Sequence, residues 1–261
     1  MQKDKQMNNF PLVSCLCVTH NRIAQIARAI ACFQSQTYPN KQLVIVYEDK
    51  DVHICKFLQT IDDPTIKCIQ VPYEPKLNLG ELRNISIDHS DGEYICQWDS
   101  DDWFHNNRLQ LQMRYILKMH KPICFLTYWI MYDSLTEKAY LSRKRLWEGT
   151  ILCKKDFLLA SKLKYPNLEK LEDFKLVEKL LPLNVIYPID IPNLYIYVYH
   201  GENTWHYQHF KDNFNVGQEL SESANKIVKG VLEGKYTNEV SSELMDSPEI
   251  LQPLQYAYTL Y

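Results

Sequence analysis

The sequence predicts an α/β protein built on a doubly wound, mostly parallel sheet, and three observations carry that prediction. Short apolar runs of strand length alternate with segments whose apolar residues recur at helical spacing. The polar residues that end successive runs, Thr19 to Arg22, Glu48-Asp49 and Asp99 to Asp102, all fall on the carboxyl side of a strand, where open α/β sheets gather ligands. No internal repeat or low-complexity segment interrupts the alternation.

The elements follow in order. Leu12 to Thr19 is a near-continuous apolar run, as expected of a strand buried on both faces, with Cys15 and Cys17 on one of them. Ile23, Ile26, Ile30 and Phe33 have helical spacing, and Leu43 to Tyr47 is a second strand, parallel to the first through a right-handed crossover. Val52 to Ile61 reads as a helix, Ile66 to Val71 as a strand, Asn78 to Asn84 as the opening of a helix, and Tyr94 to Trp98 as a fourth strand. Leu109 to Leu117 is helical and stops near Lys121-Pro122. The character then changes: Cys124 to Tyr132 and Ala139 to Trp147 flank a turn at Asp133-Ser134, which predicts a smaller mixed or antiparallel portion. Lys154 to Leu163 and Leu168 to Leu181 look helical, the latter with Leu171, Phe174, Val177 and Leu181 on one face. Tyr195 to Tyr199 is a strand, and Asn215 to Gly230 a peripheral helix. With no linker to divide the chain, we expect one domain over residues 1–215, its first half at about 10–103 and its second at about 104–215. A C-terminal helix and aromatic tail, 216–261, would pack on it.

Composition limits the partners. At 261 residues and 46% hydrophobic, the chain can bury a real core. Its net charge is −3, and no basic cluster exceeds Arg143-Lys144-Arg145, so nucleic acid is not indicated. Eight cysteines without a Cys-x-x-Cys pair point to free thiols and a reducing compartment, with cytoplasm the default. The one sequon, Asn84-Ile85-Ser86, falls in a segment expected at the active site, which weighs against secretion. Met1 to Asn9 is polar and lacks a signal-peptide core. Pro122 to Tyr132 is too short to span a bilayer, and Leu181 to Tyr199 is broken by Pro182, Pro188, Asp190 and Pro192. The uncharged tail from Leu251 to Tyr261 leaves room for peripheral attachment to a membrane, or for packing on a second subunit.

Gly92 to Trp103 is the stretch the rest is arranged around. A short apolar strand ends in Asp99, Asp101 and Asp102, three carboxylates in four positions. Like charges crowded together raise each other's pKa unless a cation sits among them. Mg²⁺ or Mn²⁺ would relieve the repulsion, taking one or two carboxylates and leaving other positions to substrate phosphates. Asp102 either orients the loop or caps the next helix.

Val18 to Arg22, Val44 to Asp49, Asn78 to Asn84, Gly92 to Trp103 and Glu172-Asp173 together resemble the GT-A-fold glycosyltransferases of family 2, in family order over most of residues 10 to 210. The resemblance implies a Rossmann-like mostly parallel sheet, inversion at the transferred sugar, a nucleotide-sugar donor and a divalent metal. It implies that Thr19, Asn21 and Arg22 line the nucleotide pocket, that Asn78, Arg83 and Ser100 belong with the nucleotide sugar, and that Asp49 accepts a hydrogen bond from the base, with Glu48 the alternative. A carboxylate only accepts, so it selects a base edge that donates, such as the uracil N–H. Family members often have Asp-Asp-Gly-Ser where this chain has Glu48-Asp49-Lys50-Asp51, so which acid faces the base stays open. Asp101 matches the direct metal ligand, and Asp99 a ligand to metal or ribose. His200 is the first candidate for the basic residue many members of the fold place on metal or diphosphate, with His206 and His209 behind it. Asp173 matches the general base, and Glu172 is its alternate. A helix start near Asp173 should hold its pKa low. Trp147 and Trp205 are candidate stacking surfaces for the acceptor sugar, or core.

The expected activity is hexosyl or N-acetylhexosaminyl transfer from a UDP-sugar to a glycan, lipid-linked or protein acceptor. The alternatives are a non-catalytic sugar-nucleotide-binding protein of this fold and a metal-dependent nucleotidyltransferase. P-loop and dinucleotide enzymes are disfavoured, because neither glycine-rich motif is present.

Overall fold

The computed structural model describes residues 10–234; the polar start and the apolar tail from Leu251 lie outside the described residues. The first half alternates as expected: β1 (Val13–Val18), α1 (Ile23–Gln34), β2 (Lys41–Glu48), α2 (Val52–Leu58), β3 (Ile66–Val71), α3 (Leu79–Asp88) and β4 (Tyr94–Gln97). β1 lies parallel to β2 and β4, and β2 parallel to β3. Apart from Ser14, whose hydroxyl is hydrogen-bonded to Gln42 and Gly92, strand β1 is apolar because both faces are covered. Cys15 and Cys17 pack with Ile26, Ile30 and Phe33 of α1, while Leu16 packs on the other side with Val44 and Ile87. All eight cysteines are free.

Helix α3 starts where it does because Asn78 and Glu81 form a reciprocal capping box. Its second residue, Gly80, lies against the loop at Pro166: a Cβ there would come 1.9 Å from the Pro166 carbonyl oxygen. Gly80→Ala should therefore cost about 1–3 kcal/mol of stability through overpacking, despite alanine's better helix propensity. A lowered urea midpoint checks this, and an unchanged one would show that the Pro166 loop yields freely.

The chain continues through β5 (Trp103–Phe104), α4 (Arg108–Met119), β6 (Ile123–Leu126), β7 (Ile130–Asp133), β8 (Lys138–Leu141), β9 (Leu152–Lys154), α5 (Lys155–Ala160), α6 (Glu172–Leu180), β10 (Ile186–Ile189), β11 (Tyr195–Tyr199), α7 (Tyr207–Val216), β12 (Gln218–Glu219) and α8 (Glu222–Glu233). A seven-stranded sheet has the order β10-β6-β9-β4-β1-β2-β3, and a five-stranded one β12-β8-β7-β11-β5. In the larger sheet only β9 runs antiparallel to its neighbours. The mostly parallel α/β class is thus realised, and the second sheet is mixed. Among the described residues no helix is long and apolar enough to cross a membrane.

Four local expectations change. The run Cys124 to Tyr132 is two strands in different sheets, switching at Thr127 to Trp129; it stays buried through the switch, so its hydrophobicity shows no break. Strand β8 ends at Leu141, short of the predicted Trp147. Helix α6 begins at Glu172, because Leu171 takes a left-handed conformation (φ 65°). Its buried face is Leu176, Val177 and Leu180, whereas Leu171, Phe174 and Leu181 are exposed. The single C-terminal helix is two, α7 and α8, separated where β12 pairs with β8.

Candidate active site

The acidic loop sits where the two sheets meet. Strand β4 belongs to the larger sheet and β5, paired with β11, to the smaller, so Trp98 to Asp102 bridges them. Trp98 anchors the loop: it is fully buried, its indole N–H donates to the Ala29 carbonyl at 3.0 Å, and its ring lies 4.0 Å from that of Phe104. Asp102 is buried and accepts hydrogen bonds from Val198 N–H (3.0 Å) and the Tyr195 hydroxyl, so it orients the loop rather than capping a helix. Burial, with the charges of Asp101 and Asp99 beside it, pushes the Asp102 carboxyl well up.

The other two carboxylates have cations of their own. Asp99 accepts from Arg83 Nη2 at 3.0 Å, and Asp101 Oδ2 lies 3.3 Å from Arg22 Nη1 and 3.2 Å from His200 Nε2. Burial alone would raise the Asp101 pKa, but the His200 hydrogen bond and the nearby charges of His200, Arg22 and Arg28 outweigh it and hold the carboxyl below its usual range. Among the described residues no three His, Cys, Asp or Glu side chains form a metal cage. Asp101 with His200 supplies two donors at most, a set that suits Mg²⁺ or Mn²⁺ only if diphosphate and water complete the shell.

Two cavities meet at this loop. The first, about 210 Å³, is lined by Thr19, Arg22, Glu48, Asp99 and Ser100, together with His20 and Lys76. Thr19 Oγ1 is buried there with no partner among the described residues, an unspent hydrogen-bonding group of the kind a ligand satisfies. Side chains alternate along β2, so Glu48 points inward, 3% exposed and 2.5 Å from Lys76 Nζ. Asp49 is exposed and accepts from Tyr73 N–H at 3.0 Å instead; it does not line the cavity. Asn78 is the α3 cap, and Asn21 lies in an adjoining recess, its N–H held by the Asp51 carboxylate.

The second cavity, about 330 Å³, shares Asp99, Asp101 and Thr204 with the first, and adds Arg83, Asp173, Trp147 and Trp205. Asp173 stands in the first turn of α6, and its carboxylate accepts from Phe174 N–H at 2.7 Å. Burial raises its pKa despite the opposing charge of Arg83, contrary to the low value expected from the helix start. Glu172 turns away, 2% exposed, and accepts from Arg83 Nε at 2.9 Å. Arg83 is therefore a buried link between α6 and the acidic loop, bonded to Glu172 on one side and Asp99 on the other. Trp147 is cavity wall and core at once, stacked on Trp129 at 4.4 Å. Trp205 stacks on His209 at 4.4 Å. Burial lowers the His209 pKa, His206 is exposed, and of the three histidines only His200 reaches Asp101.

Residues 14–166 match the sequence model of glycosyl transferase family 2, more than half of the chain. The chain belongs to this family. The match ends before Asp173, His200 and Trp205, which family 2 membership therefore leaves to the geometry above. Curated relatives agree on the class: amylovoran biosynthesis glycosyltransferase AmsB of Erwinia amylovora is 30% identical over 38% of this chain and 34% of its own length. An uncharacterized glycosyltransferase of Haemophilus influenzae is 27% identical over 43% and 45%. The chain thus spans less than half the length of either. Among solved structures, S. aureus TarS 1-349 in complex with UDP-GlcNAc has a TM-score of 0.57 at 16% identity, covering 92% of this chain and 71% of that one. Mannosyltransferase PcManGT from Pyrobaculum calidifontis in complex with GDP-Man and Mn²⁺ has 0.58 at 14%, covering 97% and 77%. The family 2 chain shares their GT-A-type fold.

Several lining residues have no role assigned by the sequence. His20 and Lys76 flank Glu48, and Arg145 stacks 4.8 Å over Trp147 while holding both Glu148 oxygens at 2.9 Å. Arg145 is visible in the sequence only as the end of a basic run. Asn203 and Thr204 lie in the loop after His200 and line the second cavity.

Proposed function

We propose that the chain is an inverting glycosyltransferase that moves a sugar from a UDP-sugar to an acceptor hydroxyl. One observation carries the reading: two cavities meet at Asp99 and Asp101, one offering an unspent hydroxyl and an inward carboxylate, the other an acid of raised pKa. The smaller cavity takes the nucleotide, with Glu48 accepting from the uracil N–H and Thr19 and Arg22 along the ribose and diphosphate. Asp101, with His200 beside it, would hold Mg²⁺ or Mn²⁺, which when bound neutralises the departing diphosphate. The sugar then lies toward Asp99 and Trp147, and the acceptor enters by Trp205. Asp173 takes the hydroxyl proton as the acceptor oxygen bonds to the anomeric carbon and the bond to diphosphate breaks. A raised pKa makes it the better proton acceptor. The ligands that TarS and PcManGT carry, UDP-GlcNAc and GDP-Man with Mn²⁺, support a nucleotide sugar and a divalent ion.

Product analysis tests the reaction. With Mn²⁺, a UDP-sugar and acceptor extract, UDP should appear one-for-one with transferred sugar; UDP-sugar that stays intact with every sugar offered would mark a binding protein. The base pocket is tested separately. Glu48→Ala should weaken UDP binding by about 1.5–3 kcal/mol, the worth of a hydrogen bond to a charged group, and Asp49→Ala should change it little. Calorimetry giving the reverse order would put the uracil outside the first cavity.

A further inference from the structure

Six of the thirteen exposed large apolar side chains among the described residues lie between positions 159 and 183, on α5, α6 and the turns around them. Helix α6 spends its inward face on Leu176, Val177 and Leu180. Beside that face Phe174 is 40% exposed, Leu171 just before the helix is 47% exposed, and Leu181 and Leu183 in the turn after it are 56% and 46% exposed. None of these four belongs to a core cluster. Adjacent apolar side chains left in water at this density mark a contact surface.

Charge says what the contact is. Lys162, Lys164, Lys170, Lys175 and Lys179 are all exposed along the same stretch. Glu178 is paired with Lys175 at 2.7 Å, Glu172 is buried on Arg83, Asp173 faces the acceptor cavity, and Glu169, exposed at the rim of the donor cavity, offsets one of the four remaining lysines. The outward charge is therefore mainly positive. Leucine and phenylalanine beside lysine, on a helix and the turns that flank it, suit the headgroup layer of an anionic bilayer, where ammonium groups meet phosphates and apolar side chains enter the acyl boundary. A second copy is a poorer occupant, since a two-fold contact would set this lysine-rich face against itself.

The face is continuous with the site. Leu171 and Phe174 line the acceptor cavity on the wall that carries Asp173, and Lys170 lies 4.8 Å over the Trp205 ring at its edge. We propose that this lip docks the protein on anionic lipid and holds the mouth of the acceptor cavity at the headgroup layer. An acceptor anchored in that layer reaches Asp173 without leaving the surface. This consequence for the acceptor rests on the glycosyltransferase reading; the docking itself does not.

Vesicle flotation of the full chain tests it, with phosphatidylcholine alone and with roughly a third phosphatidylglycerol. The parent should float with the anionic vesicles and far less with the neutral ones. Leu181→Glu/Leu183→Glu, both outside the two cavities, should partition at least about tenfold less while binding UDP like the parent. A parent that stays at the bottom with anionic vesicles, or a double variant that floats equally well, overturns the proposal. A parent that fails to float but forms a dimer the variant cannot form assigns the face to a second copy and overturns it too. A parent that floats with the anionic vesicles but binds no UDP would sink the glycosyltransferase reading and leave the docking surface standing.

Discussion

Asp173→Asn should lower turnover by about 10²- to 10⁴-fold, the usual contribution of a general base, and leave UDP-sugar affinity within roughly twofold. The amide keeps size and shape but cannot take the acceptor proton. In the proposed mechanism the Asp173 interaction that matters forms only as the acceptor hydroxyl attacks, so its loss should fall on turnover and not on ground-state binding. The raised pKa adds a second readout. A base works when deprotonated, so turnover should fall as pH drops through a limb lying above the ordinary carboxylate range, and Asp173→Asn should lose that limb. Equal rates in parent and variant, or loss of donor affinity together with activity, would remove Asp173 as the base. Glu172 is no ready substitute, since it is buried and committed to Arg83.

Asp101→Ala should abolish the strengthening of UDP binding by Mn²⁺. Arg22 and His200 converge on this carboxylate, and burial of Asp102 and pairing of Asp99 with Arg83 leave it the one acid of the three positioned beside a histidine. The fold should survive, because the site lies in a loop beyond β4, and removing one charge relieves the repulsion that raises Asp102. Calorimetric titration with UDP, with and without MnCl₂, separates the cases: a folded variant whose UDP affinity still rises with Mn²⁺ has its metal ligand elsewhere.

Much of the first half was legible because its physics is local. Ile66–Val71 has the predicted bounds, and Asn78 and Glu81 announce the start of α3 at capping-box spacing. The acidic loop was legible as a strand ending in charge. What spacing does not show is which distant partner a residue meets. Spacing assigns Arg83 neither of its partners: α6 brings Glu172 to one side of it and the loop brings Asp99 to the other. Glu48 and Asp49 are adjacent acids, and only the direction of β2 tells inward from outward. Strand β9 is three residues inserted between β4 and β6, too short for a periodic signal. Helix α6 misled for another reason: Leu171, Phe174 and Leu181 have the spacing of a core face, but the core takes the other side of the helix.

A crystal structure with UDP and Mn²⁺ tests the central claim most directly. Uracil should lie in the cavity between Thr19 and Lys76 with its N–H on Glu48, and the diphosphate should point to Asp101 and His200, leaving the larger cavity beside Asp173 open for sugar and acceptor. Uracil bound beside Asp173, or a diphosphate that does not approach Asp101, would contradict it.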